Sequence, residues 1–348
     1  MKKITPFIYL SLFIFLFAHV SAQNKITYQI VKRIHLDGDG GWDYLTIDDN
    51  AGLLYVSHGN MIQVVDVKTS KAIATIEDTK GVHGITIATE FGKGYISCGR
   101  DSTVVVFDIK SFKTLSRVKV NGRNPDAILY DPFSKNVFAF NGRSNNVTVI
   151  DAKTDKVIGN IPLDGNPEFA ATDENGKIYL NIEDKSKLCV INSLTLKVEQ
   201  YWPIGPVVEP SGLAIDNATH RLFTVSDGHM AVIDAISGKI IATLPIGDRV
   251  DGVAFDKGQK RAYSANGDGT MTVVGEVDGN YKVIETVKTQ KGARTIAVNS
   301  KTGGIYLPTA EQGNAEPGKR PSSKPGTFVI LEVSTVEQTI STFERKSK

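Results

Sequence analysis

The chain has 348 residues, of which 41% are hydrophobic and 22% are charged, and a chain of this length and composition can bury a core without disulfide bonds. Its 40 basic and 38 acidic residues nearly balance, so it lacks the basic excess by which dedicated nucleic-acid binders neutralise phosphates. The two cysteines, Cys98 and Cys189, lie in different parts of the chain and are expected to be free thiols.

The first 22 residues have the pattern of a secretory signal peptide. Lys2 and Lys3 form a basic start, residues 8–17 form an apolar stretch, and small residues precede Gln23. The apolar stretch is about half of the ~20 residues that a membrane span needs. We therefore expect cleavage after Ala22 and a periplasmic or secreted protein with no membrane span after the signal is removed.

From residue 42 onward the chain repeats a unit of about 42 residues. The clearest copy, residues 124–163, contains four short runs rich in Val, Ile and Phe, and Asn, Asp, Gly or Pro residues separate them. Runs this short are typical of strands and not of helices. Each unit is therefore predicted to form a four-stranded antiparallel meander.

Seven such units predict an all-β, seven-bladed β-propeller. A strand at residues 26–36 precedes the first unit, and the seventh unit has only three clear strands, so we expect the N-terminal strand to complete the last blade. This closure would protect open strand edges. We predict one domain over residues 23–348 and a monomer, with the residues from 334 onward unassigned. The units open near residues 42, 82, 125, 167, 210, 250 and 293.

One loop is much longer than its counterparts. Residues 310–326, between the second and third strands of the seventh unit, are rich in Pro and Gly. Such a loop is either a tolerated insertion or a lid or docking loop over the channel.

The first strand of each propeller blade lines the central channel, so the seven unit openings should converge on one channel mouth. Core positions recur between units, whereas mouth positions carry different polar groups, which favours a binding site. The openings contribute Asp43, His83, Asp126, Glu168, Ser211, Asp251 and Arg294. The loops after the second strands contribute Asn141, Arg143, Glu183 and Asn266, among others.

This set of side chains permits three kinds of chemistry, besides a solvated rim without a ligand. The carboxylates could hold a divalent cation, calcium or magnesium by preference. Arg294 and Arg143 could bind the anionic group of a small polar molecule. A metal, or His83 as a base, could hydrolyse an ester such as a lactone. No hydrolase motif is present, so we favour binding of a small polar ligand, an ion or a protein partner over catalysis.

The repeat motifs resemble those of YVTN-type seven-bladed propellers, and with the signal peptide the chain is similar to YncE-like periplasmic proteins. The resemblance is carried by third strands such as VIDA, by fourth strands ending in IPLDGNP or LPIGD, and by mouth segments such as NPDAI and NPEFA. It implies the propeller fold and adds DNA binding as an alternative function. The chain also resembles propeller lactonases of the gluconolactonase kind, in which acidic and amide side chains at the mouth hold a metal. The residues of those types here are Glu168, Asn141, Asn266 and Asp251.

Overall fold

The computed structural model describes residues 21–313 and 322–342, and the side chains of residues 26–313 and 322–337. Within them, 28 strands form seven four-stranded antiparallel sheets, which confirms the predicted seven-bladed propeller. Residues 1–20 of the predicted signal peptide, residues 314–321 of the long loop and residues 343–348 of the tail lie outside the described part. In the part that is described, no helix has the length and apolar character needed to cross a membrane.

Blades 1 to 6 each take four consecutive strands. Blade 1 contains β2 (Trp42–Asp48), β3 (Leu53–His58), β4 (Met61–Asp66) and β5 (Lys71–Ile76), and blade 2 contains β6 (Val82–Ala88), β7 (Lys93–Cys98), β8 (Thr103–Asp108) and β9 (Thr114–Lys119). Blade 3 contains β10 (Pro125–Asp131), β11 (Asn136–Asn141), β12 (Asn146–Asp151) and β13 (Lys156–Pro162), and blade 4 contains β14 (Pro167–Thr172), β15 (Lys177–Ile182), β16 (Lys187–Asn192) and β17 (Lys197–Pro203). Blade 5 contains β18 (Leu213–Asp216), β19 (Arg221–Ser226), β20 (His229–Asp234) and β21 (Ile240–Pro245), and blade 6 contains β22 (Val250–Asp256), β23 (Arg261–Asn266), β24 (Thr270–Val277) and β25 (Asn280–Lys288). Two short 3-10 helices, Thr89–Phe91 and Glu183–Lys185, lie in loops.

Blade 7 joins the two ends of the chain. Its strands β26 (Ala297–Asn299), β27 (Gly304–Thr309) and β28 (Val329–Thr342) pair in that order, and β1 (Ser21–His35) adds the outer strand. The prediction that the N-terminal strand completes the last blade is therefore confirmed. Within the described residues, the propeller body comprises Tyr28–Ser334, and residues 21–27 and 335–342 belong to a second compact unit.

The inner strands close the ring. Each first strand contacts the first strand of the next blade, and β26 of blade 7 contacts β2 of blade 1. Across this last junction, the Thr295 hydroxyl donates to the Asp43 carbonyl over 2.7 Å. The seven first strands therefore surround one channel, and they all begin on the same face, which we call the mouth face.

The core lies between the blades. An aromatic residue on each second strand is buried, and several of these residues also link successive blades by hydrogen bonds. The Tyr95 hydroxyl of blade 2 donates to the Ala152 carbonyl of blade 3, and the Tyr179 hydroxyl of blade 4 donates to the Ala235 carbonyl of blade 5, both over 2.8 Å. The recurring aromatic position is therefore structural. It comprises Tyr55, Tyr95, Phe138, Tyr179, Phe223, Tyr263 and Tyr306.

The aspartate that ends several third strands is also structural. The Asp151 carboxylate accepts hydrogen bonds from the backbone N–H and the hydroxyl of Thr154, each over 2.7 Å. Asp108 and Asp234 accept the same two bonds from the serine three residues further on. These contacts hold the turn that leads into the fourth strand. The VID motif that carries the family resemblance therefore marks a turn on the face opposite the mouth.

Two blades open later than the repeat predicts. Strand β18 begins at Leu213 and not at Pro210, although the Ser211 N–H still donates to the Val225 carbonyl of β19 over 2.9 Å. Strand β26 begins at Ala297 and not at Ala293, because the Arg294 carbonyl accepts the N–H groups of Asp251 and Gly252 in blade 6. The residues before these two strands still lie at the mouth.

Cys98 and Cys189 are free and buried, as predicted. Burial raises the pKa of each thiol to about 12, so the reactive thiolate is scarce near neutral pH. Neither cysteine is therefore suited to act as a nucleophile.

Candidate functional site: the channel mouth

A β-bulge at the start of five inner strands aims polar side chains into the mouth. In each of these strands the pairing register shifts just after the first residue. Bulges turn a side chain away from the regular alternation and are common next to functional sites. The five predicted mouth residues that lie in these bulges are Asp43, His83, Asp126, Glu168 and Asp251.

Four of these side chains and Arg294 form a continuous chain of opposite charges across five neighbouring blades. His83 Nδ1 lies 2.7 Å from Asp43 Oδ2 and 3.5 Å from Asp126 Oδ1. The Arg294 guanidinium lies 2.7 Å from Asp251 Oδ2 and 3.8 Å from Asp43 Oδ1. The order along the mouth is Asp126, His83, Asp43, Arg294 and Asp251. The structure therefore brings these five side chains together at one opening.

Glu168 faces this chain from blade 4. It accepts a hydrogen bond from the Tyr44 hydroxyl of blade 1 over 3.4 Å, and the Tyr44 ring packs against Phe169 with ring centroids 5.0 Å apart. These contacts join two blades that lie on opposite sides of the seven-membered ring. Tyr44 and Phe169 therefore form a floor under the mouth.

Crowding of carboxylates in this partly buried place raises their pKa values. Burial, followed by the charges of Asp126 and Asp251, raises the pKa of Glu168 to about 9. Burial also raises the pKa of Asp126 to about 7, although His83 opposes the rise. Burial lowers the pKa of His83, but the hydrogen bond to Asp43 and the charge of Asp126 outweigh it and leave that pKa raised. The mouth therefore holds protons that isolated carboxyl groups would lose.

Two depressions open over these residues. The first has a volume of about 490 Å³ and is lined by Trp42, Glu183, Ser211, Arg249, Asp251 and Arg294, among others. The second, about 430 Å³, gives access to Asp43 and His83. The first lies within the size range of small-molecule sites, about 300–1,000 Å³.

The other predicted site residues are placed differently. Asn141 and Asn266 are fully buried, and their amide nitrogens donate to Thr148 and Thr272, each over 3.0 Å, inside their own blades. The two amides that the lactonase resemblance implies as metal ligands therefore lie in the interior of their blades. Arg143 is exposed and does not line either of the two depressions.

Glu183 and Ser211 line the larger depression. Glu183 also accepts a hydrogen bond from the Asn166 amide over 2.8 Å. The Ser211 hydroxyl donates to the Val250 carbonyl of the next blade over 3.3 Å. These two residues thus belong to the mouth, as the sequence predicted.

Residues 43–211 match the family model described as "Domain of unknown function (DUF5074)". No curated protein matches the chain. Among solved structures, Kuenenia stuttgartiensis Hydrazine Synthase is similar, with a TM-score of 0.68 and 15% identity over 78% of this chain and 94% of that chain. At this identity the likeness shows the fold alone. The matched segment begins at Asp43 and ends at Ser211, so it contains the mouth residues of blades 1 to 4 and Ser211 of blade 5.

Tyr44 and Asn124 also belong to the mouth, although the sequence did not predict them. The Asn124 side chain hydrogen-bonds to His83, and its amide nitrogen lies 3.4 Å from Asp126 Oδ2. One signal could have identified it, because Asn-Pro followed by an acid opens both blade 3 and blade 4. In blade 4 the corresponding residue is Asn166, which likewise donates to a mouth carboxylate.

Proposed function

We propose that this protein binds a small molecule with a cationic group in the channel mouth, and that it does so after export from the cytoplasm. The observation that carries the proposal is the convergence of four carboxyl groups, from Asp43, Asp126, Glu168 and Asp251, at one partly buried opening. His83 lies beside Asp43 and Asp126, and Arg294 lies beside Asp43 and Asp251. A positively charged ligand beside Glu168 would offset the carboxylate repulsion that, after burial, raises the pKa of this side chain.

The charges of the mouth also favour a cation over a phosphate. Glu183 and Asp251 line the larger depression, and Asp251 engages the Arg294 guanidinium. An anionic ligand that used Arg294 would have to displace an existing carboxylate, and the exposed Arg249 is the other arginine that lines this depression. This consideration supports a small cationic ligand in preference to the DNA backbone, which needs accessible basic groups.

Binding of a cation should be coupled to loss of a proton. Because the pKa of Glu168 is raised to about 9, this side chain is mostly neutral near pH 7. A cation beside it stabilises the ionised form and so lowers that pKa. The affinity should therefore rise with pH up to about 9, and binding near neutral pH should release a proton.

The test is calorimetric titration of the exported protein with a panel of small primary, secondary and quaternary amines. Glu168→Gln keeps the shape and the hydrogen bond from Tyr44 but cannot ionise, and we expect it to weaken binding at least about tenfold, which corresponds to about 1.4 kcal/mol. Glu174→Gln, in an exposed turn on the opposite face, is the matched control. Failure of every amine to bind, or equal weakening by both variants, would contradict the proposal.

Metal-dependent hydrolysis of a lactone or similar ester is the second candidate. It is favoured by one observation, namely that possible ligand atoms of Asp43, His83 and Asp126 all lie within 4.8 Å of one another. A metal held there could activate a water molecule. Turnover of a lactone panel that depends on added metal and is lost in His83→Ala would support this candidate, and no turnover under any metal would exclude it.

The proposed export rests on the signal-like N-terminus. Fractionation of the source cells should place the protein outside the cytoplasm, and N-terminal sequencing of the mature chain should begin at Gln23. A cytoplasmic protein that retains residues 1–22 would contradict this part of the proposal.

A further inference from the structure

Three electron-pair donors meet at the boundary of blades 1, 2 and 3. Asp43 Oδ2 and Asp126 Oδ1 lie 2.7 Å and 3.5 Å from His83 Nδ1, and the three side chains offer ligand atoms within 4.8 Å of one another. All three side chains keep about a fifth to a quarter of their surface exposed, and the second depression leads to Asp43 and His83. An ion from solvent can therefore reach this point.

Asn124 determines which nitrogen of His83 faces the two carboxylates. Its side chain hydrogen-bonds to His83, and Asn124 Oδ1 and His83 Nε2 lie on the same side, next to Gly99. Because an amide oxygen only accepts, Nε2 carries the proton of that bond. The Asn124 amide nitrogen points at Asp126 Oδ2, 3.4 Å away, which leaves Asp126 Oδ1 turned toward His83.

This arrangement has a physical consequence. With the proton on Nε2, a neutral imidazole presents the lone pair of Nδ1 to two carboxylate oxygens, and three acceptors repel one another. Either a second proton or a metal ion must lie between them. A histidine ligand whose other ring nitrogen donates to a fixed acceptor is the usual arrangement in metal sites.

We propose that Asp43, His83 and Asp126 bind one first-row transition-metal ion such as Zn²⁺ or Mn²⁺, with Asn124 as a positioning residue. An imidazole nitrogen together with two carboxylates suits these ions, whereas calcium and magnesium prefer oxygen ligands alone. Three protein ligands leave coordination positions for water or a bound molecule. The proposal shares Asp43 and Asp126 with the proposed amine site, but titration with the metal alone tests it without an amine.

Gly99 fits the same arrangement. A Cβ at this position would lie 2.6 Å from Asn124 Oδ1 and 2.7 Å from His83 Nε2, closer than such contacts allow. Gly99→Ala should therefore push the asparagine and the imidazole apart without removing a ligand. It provides a second way to perturb the site.

The experiment uses the untagged full chain, freed of metal by a chelator and titrated separately with Zn²⁺, Mn²⁺, Ca²⁺ and Mg²⁺ in a calorimeter. We expect one Zn²⁺ or Mn²⁺ per chain and an affinity for Ca²⁺ and Mg²⁺ at least about 100-fold lower. His83→Ala should abolish the binding, and Asn124→Ala should weaken it about 10- to 100-fold, as is typical for partners of ligands. His35→Ala, which removes an exposed histidine of β1, should bind as the wild type does.

Two readouts keep the result interpretable. Circular dichroism must show that each variant is folded. If His83→Ala is not folded, a comparison of the Co²⁺ absorption spectra of the wild type and Gly99→Ala replaces the titration of that variant. Absence of a stoichiometric site, or binding that His83→Ala and Gly99→Ala leave unchanged, would overturn the proposal and identify His83 as a protonated partner of the two aspartates. Amine binding would be unaffected by that outcome, so the two proposals can fail separately.

Discussion

Glu168→Gln should be more stable than the wild type, and this difference in unfolding free energy should grow as pH rises. Burial and neighbouring carboxylates raise the pKa of Glu168 from 4.5 to about 9. Between these values the folded protein holds a proton that the unfolded chain has lost. The stability that this proton contributes is fully present below 4.5 and is lost as pH rises toward 9. The glutamine variant does not titrate and keeps its carbonyl oxygen as an acceptor for Tyr44.

The magnitude follows from the proton count. One extra proton in the folded state lowers the free energy of unfolding by about 1.36 kcal/mol per pH unit, so Glu168 accounts for a loss of about 2.7 kcal/mol between about pH 6 and pH 8. Urea unfolding of wild type and Glu168→Gln at several pH values in this range measures the difference. We expect the unfolding free energy of the variant minus that of the wild type to grow by that amount over this pH range.

Glu174→Gln serves as the control, because Glu174 is exposed in the turn between β14 and β15. This variant should follow the wild type at every pH. If the unfolding free energies of Glu168→Gln and wild type run parallel between pH 6 and pH 8, Glu168 is ionised in the folded mouth. Cation binding would then not be coupled to proton release from Glu168.

Four further predictions concern the ring, the mouth and the core. Deleting residues 26–36 should lower the melting temperature of the whole domain in one transition, and an unchanged melt would show that β1 does not close the ring. The double variant His83→Ala with Asp126→Ala should fold, as circular dichroism can show, and lose ligand binding; loss of the fold would make these residues structural. Tyr95→Phe removes a hydroxyl that lies 2.8 Å from both the Ala152 carbonyl and the Asp155 carboxylate and should cost about 1 kcal/mol in urea unfolding, and no loss would mean that the link between blades 2 and 3 is weak. Neither cysteine should react with iodoacetamide near neutral pH until the protein unfolds, so rapid labelling of the native state would contradict the burial described for both thiols.

The sequence predicts the propeller because a fixed period and short apolar runs are local properties of the chain. It also predicts which residues surround the mouth, since each blade places its first residue at the same end. It does not predict that Tyr44 reaches Glu168, because that contact joins residues 124 positions apart across the channel. Such a contact depends on how the ring closes.

The amides show a different limit. Asn141 and Asn266 end the second strands of their blades, so sequence position alone places them at the mouth. Side chains alternate along a strand, and both amides point into the blade interior. Asn124 shows the converse, because a residue just before a strand, with a left-handed backbone, turns its amide toward His83 and Asp126. Neither orientation is encoded in the spacing of the repeat.

The most direct test of the cation site is calorimetric titration with the tightest-binding amine, repeated in buffers of different ionisation enthalpy near neutral pH. The dependence of the heat on the buffer gives the number of protons exchanged on binding. The account predicts release of about one proton by the wild type and a clearly smaller release by Glu168→Gln. Binding that releases no proton, or the same proton release in both proteins, would contradict it.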